Sequence, residues 1–147
     1  MHLMGGLGNQ MFQYAAVRAL SVKRGIPFAV DFDDPYLYAK RNLELDVFNL
    51  SYQTATYGQL FSAKPKRKLL RRLYKWTGND PNCNLYKEDK DFHYQPGLFN
   101  CPDGSYISGF WQSEKYFSEI SDLIRQDFTF KAEATGANKK WLQQIDN

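Results

Sequence analysis

Gly5, Gly6 and Gly8 stand immediately before two neutral amides, Asn9 and Gln10, in the string Gly5-Gly-Leu-Gly-Asn-Gln10. Glycines allow positive φ and let a ligand or a second domain come close to bare backbone. A helix opening at such a turn aims its unpaired N–H groups and its positive dipole end at whatever lies over the loop. That chemistry suits an anion or a hydroxyl-rich ligand, with Asn9 and Gln10 as orienting groups. Asn9 has two readings from its position: an amide exposed to a ligand, or the N-cap of the helix. Gln10 adds weight to the first, since one cap does not need two amides.

A second string, Gly109-Phe-Trp-Gln-Ser-Glu-Lys-Tyr-Phe117, follows a segment of strand character. Open α/β sheets bind ligands at the carboxyl ends of their strands. There Trp111 could stack on pyranose C–H groups and Gln112 could hydrogen-bond hydroxyls. The string also reads as structure, with Ser113 capping the next helix and Tyr116 and Phe117 in the core.

Asp31-Phe32-Asp33 forms a D-x-D triplet. Two carboxylates leaving a strand could hold a hard cation, or they are solvated turn residues. Asp31 also lies about twenty residues past the glycines, where a dinucleotide-binding fold keeps its ribose acid, but Met11 replaces the third glycine. The only histidines, His2 and His93, sit in no ligand spacing, so no metal site is expected. No G-x-S-x-G elbow and no Lys-Ser/Thr after the glycines occur, which argues against covalent hydrolysis and P-loop chemistry.

The elements that must carry these residues are legible in part. Apolar residues recur at helical spacing from Asn9 to Arg24, including Phe12, Ala15, Ala16, Ala19 and Leu20. Lys23 and Arg24, then Gly25 and Pro27, mark that helix's end. Leu3 and Met4 make a strand stub, and residues 27–32 read as a buried strand. Strand, glycine turn, helix and strand compose a βαβ unit and predict a parallel sheet. Helices are expected over 55–62 and 66–76, with Pro65 starting the second, and a turn-rich loop over 77–84. A second βα unit follows: strand 106–111, then a helix over 114–126 burying Tyr116, Phe117, Ile120, Leu123 and Ile124. Residues 128–130 should be extended and residues 136–145 a last helix.

At 147 residues, 43% hydrophobic and 16% aromatic, the chain fits one α/β domain with a real core and is too apolar for disorder. No apolar run is long enough for a membrane span and no leader pattern precedes the glycines, which points to a cytoplasmic protein. Cys83 and Cys101 form no metal pattern and are expected to be reduced thiols. Residues 64–75 carry seven positive charges and no acid, so the net charge of +3 is one local patch. Leu69, Leu70, Leu73 and Trp76 can share a helical face there. The stretch 64–76 reads as a solvated surface helix or as a contact with anionic membrane at its inner face. No motif points to nucleic acid.

Residues 5–15, Gly-Gly-Leu-Gly-Asn-Gln-Met-Phe-Gln-Tyr-Ala, and residues 109–117 together resemble the α-1,2-fucosyltransferases of glycosyltransferase family 11, in that family's order and approximate spacing. Phe128-Thr-Phe130-Lys131 is similar to its members too. The resemblance implies a GT-B-type fold, two Rossmann-like domains facing across a cleft. It implies inverting, metal-independent transfer of L-fucose from GDP-fucose to the 2-hydroxyl of an acceptor, usually galactose. Gly5, Gly6, Gly8, Trp111 and Gln112 would then contact substrate, with Asn9 and Gln10 orienting donor or acceptor near the reacting carbon.

The family's His-x-Arg-Arg-Gly-Asp-Tyr motif, which grips the donor diphosphate, does not occur in these residues. Residues 1–147 are accordingly expected to form the Rossmann-like, acceptor-side N-terminal half, inactive in transfer without a donor-binding domain. Two other readings stay open from the sequence: a non-catalytic carbohydrate-binding module, and a small Rossmann-like nucleotide-binding protein using the glycine loop and Asp31.

Overall fold

The computed structural model describes residues 1–32, 43–63, 85–89 and 93–145. Asp33, Cys83, the basic stretch 64–76 and the loop 77–84 lie outside the described residues.

Residues 1–3 are the middle rung of a hydrogen-bonded ladder. On one side His2 bridges Asp31 in parallel, with Leu3 N–H donating to Asp31 O and Asp31 N–H to Met1 O, both at 2.8 Å. On the other side His2 N–H donates to Ile107 O at 2.8 Å. Strand β1 (Ala29–Val30) pairs in parallel with β2 (Gln53–Thr54). Strand β3 (Leu85–Lys87) pairs in parallel with β4 (Tyr106–Ser108), Leu85 opposite Tyr106. Across the ladder the order is therefore β2, β1, residues 1–3, β4, β3. The chain runs outward from the centre to β2, then re-enters on the other side. Parallel neighbours need long crossovers, and α1 (Leu7–Arg24) supplies the first.

Helix α1 starts two residues before the expected Asn9. Its N-cap is Gly6, with no side-chain cap, so the N-cap reading of Asn9 falls. At the other end Gly25 is left-handed (φ 67°), and the Gly25 and Ile26 amides donate back to Val22 and Ser21. Tyr14, Ala15, Ala16, Val17, Ala19 and Leu20 are buried, more of the helix than one stripe. The small alanines let the ladder approach closely. Tyr14 donates to Asp127 Oδ2 at 2.8 Å and Arg18 Nε to the same oxygen at 3.0 Å, tying α1 to the later helix Ser121–Asp127. Burial, then the Asp127 bond, pushes the Tyr14 phenol well above its ordinary pKa.

Helix α2 (Tyr57–Ala63) lies within a residue or two of expectation, and the final helix Gly136–Ile145 matches it. The expected helix over 114–126 is instead two 3₁₀ turns, Glu114–Tyr116 and Ser118–Ile120, followed by α3 (Ser121–Asp127), so the final helix is α4. Phe117 (φ −131°) and Ile120 (φ −122°) both leave helical geometry. Phe117 turns toward Phe12 of α1, with ring centroids 6.0 Å apart. Ser113 does cap the first turn, accepting from Lys115 N–H. Strand β4 ends at Ser108 and not at 111, because the backbone turns sharply at Gly109–Trp111. Residues 128–130 reach back to an antiparallel bridge between Phe48 and Phe130. Among the described residues no helix is long and apolar enough to cross a membrane.

Candidate functional site

The glycine loop follows the central rung of the ladder, and the 109–112 turn follows the neighbouring β4. Their tips meet: Gln112 Nε2 donates to Asn9 Oδ1 at 2.7 Å. Asn9 is half-buried and Gln112 exposed, so the amide pair lies at the surface. Both turns leave the carboxyl ends of their strands, the side on which open α/β sheets bind ligands. Gly5 (φ 79°) is required here, because a Cβ would run into the Asn9 amide nitrogen. Gly8 is exposed, helical, and a Cβ on it would meet nothing within 4 Å.

Gln10 behaves differently from its neighbour. It is fully buried; its Nε2 donates to Gly5 O at 3.0 Å and its Oε1 accepts from Glu44 N–H at 3.0 Å. Gln13, one turn on and also fully buried, accepts from Met4 N–H at 2.9 Å. The two glutamines hold the loop backbone from beneath. Gln10 therefore stiffens the loop and does not face a ligand, contrary to expectation. Nor is the first turn of α1 open to an anion, because Glu44 Oε2 already accepts from Leu7 N–H at 2.8 Å. A carboxylate of the chain itself sits at the helix's positive end and disfavours a second anion there.

Trp111 was expected to face a sugar, yet it is fully buried. Its ring lies between Tyr86, stacked with centroids 6.0 Å apart, and Tyr116, edge-on at 5.6 Å. Its backbone is left-handed (φ 54°), uncommon for a bulky residue. Glu88 explains how that is held. This buried carboxylate accepts from Phe110 N–H at 2.6 Å and Trp111 N–H at 2.9 Å. Gly109 lets it come so close, since a Cβ there would overlap Glu88 Cβ and stand 2.8 Å from Oε2. The sharp turn ends β4 and leaves Gln112 pointing at Asn9. Glu88, Glu44 and Gln13 were not identified from the sequence; all three act over sequence separations that no local pattern encodes.

Asp31 is 2% exposed and receives the Tyr106 hydroxyl, so it is sealed against ribose or cation. Among the described residues no three His, Cys, Asp or Glu side chains gather as a metal site would require. Cys101 is a free, buried thiol, its pKa raised by burial. Two clefts of about 270 and about 360 Å³ open elsewhere, and neither is lined by residues 5–10 or by Gln112. The amide pair itself lies at the surface, on a ledge formed by the two turns.

Over 130 residues the chain is 32% identical to an α-1,2-colitosyltransferase of Escherichia coli, a match covering 86% of this chain. The chain is a distant homologue of a glycosyltransferase. It spans 43% of that relative's length. No protein-family model and no solved structure matches it.

Proposed function

We propose that this chain is the acceptor-side half of an α-1,2-glycosyltransferase of family 11, with the ladder as one Rossmann-like half of a GT-B-type enzyme. The carrying observation is the Asn9–Gln112 amide pair, which joins the two strings of the resemblance at one ledge. Primary amides both donate and accept, as a sugar hydroxyl requires of its partner. The homology to a transferase of a deoxy sugar supports the same reading. With Glu44 occupying the end of α1, the donor's diphosphate falls to a domain outside these residues.

The donor sugar is L-fucose carried on GDP, or its 3-deoxy counterpart colitose, the sugar in the relative's name. These differ by one hydroxyl, and a site built to hydrogen-bond that hydroxyl rejects the analogue lacking it. The acceptor is a galactose-type pyranose whose 2-hydroxyl attacks the donor's anomeric carbon as GDP departs, with inversion. No metal is needed where arginines of the donor half neutralise the diphosphate. Contact of residues 64–76 with an anionic membrane belongs to the same proposal.

Saturation-transfer NMR on this chain checks the reading. Methyl β-galactoside should bind, GDP should not, and Asn9→Ala should weaken the galactoside signal. Tight GDP or NAD binding would favour the nucleotide-binding alternative. Fucosyl transfer from GDP-fucose by this chain alone would refute the division into two halves.

A further inference from the structure

The cleft of about 360 Å³ lies between the outer face of α1 and the segments around Tyr94–Asn100 and Lys115–Ile120. Its volume falls in the range of small-molecule sites. Two ammonium groups flank it. Lys23 Nζ stands 4.7 Å from the Phe99 ring centroid and Lys115 Nζ 5.9 Å from that of Tyr94. Each lysine rests on an aromatic face that restrains it, and among the described residues neither has a carboxylate within ion-pair distance. Tyr116, 3% exposed, forms the floor, packed 4.8 Å from Tyr94 and fixed by accepting Gln95 N–H at 2.7 Å. Val22 and Ile120 supply apolar wall; Asn100 and Glu119 supply an amide and a carboxylate.

We propose that this cleft binds an acidic sugar unit, a pyranose bearing one carboxylate. Two lysines against Glu119 leave one net positive charge, which matches a monoanion; phosphate carries about −1.5 to −2 at neutral pH. The apolar wall takes the C–H face of the ring, while Asn100 and Glu119 take hydroxyls. A purely apolar acid would make no use of those two exposed groups, which would stay hydrated. Lys23 lies fourteen residues along α1 from Asn9, about 20 Å at the helical rise, so the cleft is a separate subsite. The sugar class rests on the glycosyltransferase reading: the unit bound here belongs to the same acceptor glycan, remote from the reacting residue.

Methyl glucuronide, methyl glucoside, benzoate and inorganic phosphate are titrated into the full chain while amide shifts are followed by NMR. Glucuronide should shift Lys23, Asn100 and Lys115 and bind roughly tenfold tighter than glucoside, about 1.4 kcal/mol. Lys23→Met and Lys115→Met keep the apolar stems over the rings and remove the charge. Each should weaken glucuronide about fivefold, a typical loss for one charge-assisted contact, and leave galactoside binding at the Asn9 ledge unchanged. Equal affinity for glucuronide and glucoside, benzoate or phosphate matching glucuronide, or lysine variants without effect would each overturn the subsite. Those outcomes leave the transferase reading standing, because that reading depends on the Asn9 ledge and is measured with galactoside.

Discussion

Gln112 Nε2 and Asn9 Oδ1 meet at 2.7 Å across 103 positions of sequence. Each amide comes from a turn whose backbone is fixed by other residues: the first by Gln10 and Gln13, the second by Glu88. Such support is what a recognition site requires, since polar groups held in place before binding cost less to order on binding. The buried amides and carboxylate fix the two turns from beneath and leave the Asn9–Gln112 pair at the surface.

Asn9→Ala and Gln112→Ala should each weaken galactoside binding about tenfold while lowering stability by no more than about 1 kcal/mol, the net worth of one exposed hydrogen bond. The double variant should lose little beyond either single, because the two amides act as a unit. Titration beside urea unfolding measures both quantities. Additive binding losses from the two sites would count against a joint role.

Glu88→Gln should cost about 2–3 kcal/mol in urea unfolding. The amide keeps one acceptor oxygen but turns an NH₂ toward a backbone N–H that had a carboxylate. The indole resonance of Trp111 should shift as its left-handed backbone relaxes, and galactoside binding should weaken with it. Unchanged stability would show that the Trp111 turn is held by its ring packing alone.

Much of the ladder's frame was legible. Gly25 with Lys23 and Arg24 marked the end of α1, and the 136–145 pattern gave α4 its bounds. Which amide faced out was not legible. Asn9 and Gln10 are about 100° apart on a helix whose first turn offers only Leu7 and Gly8 beside them, so no apolar stripe showed which side was inward. Trp111 read as a flat surface aromatic because nothing local reveals the buried Glu88 that bends its backbone. The break at Phe117 escaped because Ile120, Leu123 and Ile124 keep helical spacing even where the backbone is 3₁₀.

Alkaline pH should destabilise the fold before the unfolded chain's other groups matter. Burial, then the bond to Asp46, pushes Tyr52 up to about 12, and Tyr14 is raised as well. Both phenols keep their proton in the folded state above the ordinary value of 10, where the unfolded chain releases it. Folding therefore binds protons in that range, and stability falls as pH rises from about 10 toward 12. Below 10 the contribution is fully present. Tyr52→Phe should flatten part of this slope in thermal melts between about pH 9 and pH 12, values set by the tyrosine range.

Gly8→Ala should stabilise the fold and impair the site. Glycine inside a helix costs about 0.5–1 kcal/mol relative to alanine, through the entropy of its unfolded state. At Gly8 nothing offsets that cost: the residue is helical, and a Cβ would enter open space. Gly5 and Gly109 differ, since a Cβ at either would overlap Asn9 or Glu88. A glycine that the fold does not need, one residue from the exposed edge of Asn9, leaves bare backbone where a sugar ring or a facing domain can come close. The alanine variant should melt a few degrees higher, in line with a gain of about 0.5–1 kcal/mol, and bind methyl β-galactoside several-fold more weakly. A variant that gains stability with binding intact would move the ligand away from the start of α1, and would take Asn9 and Gln112 out of sugar recognition.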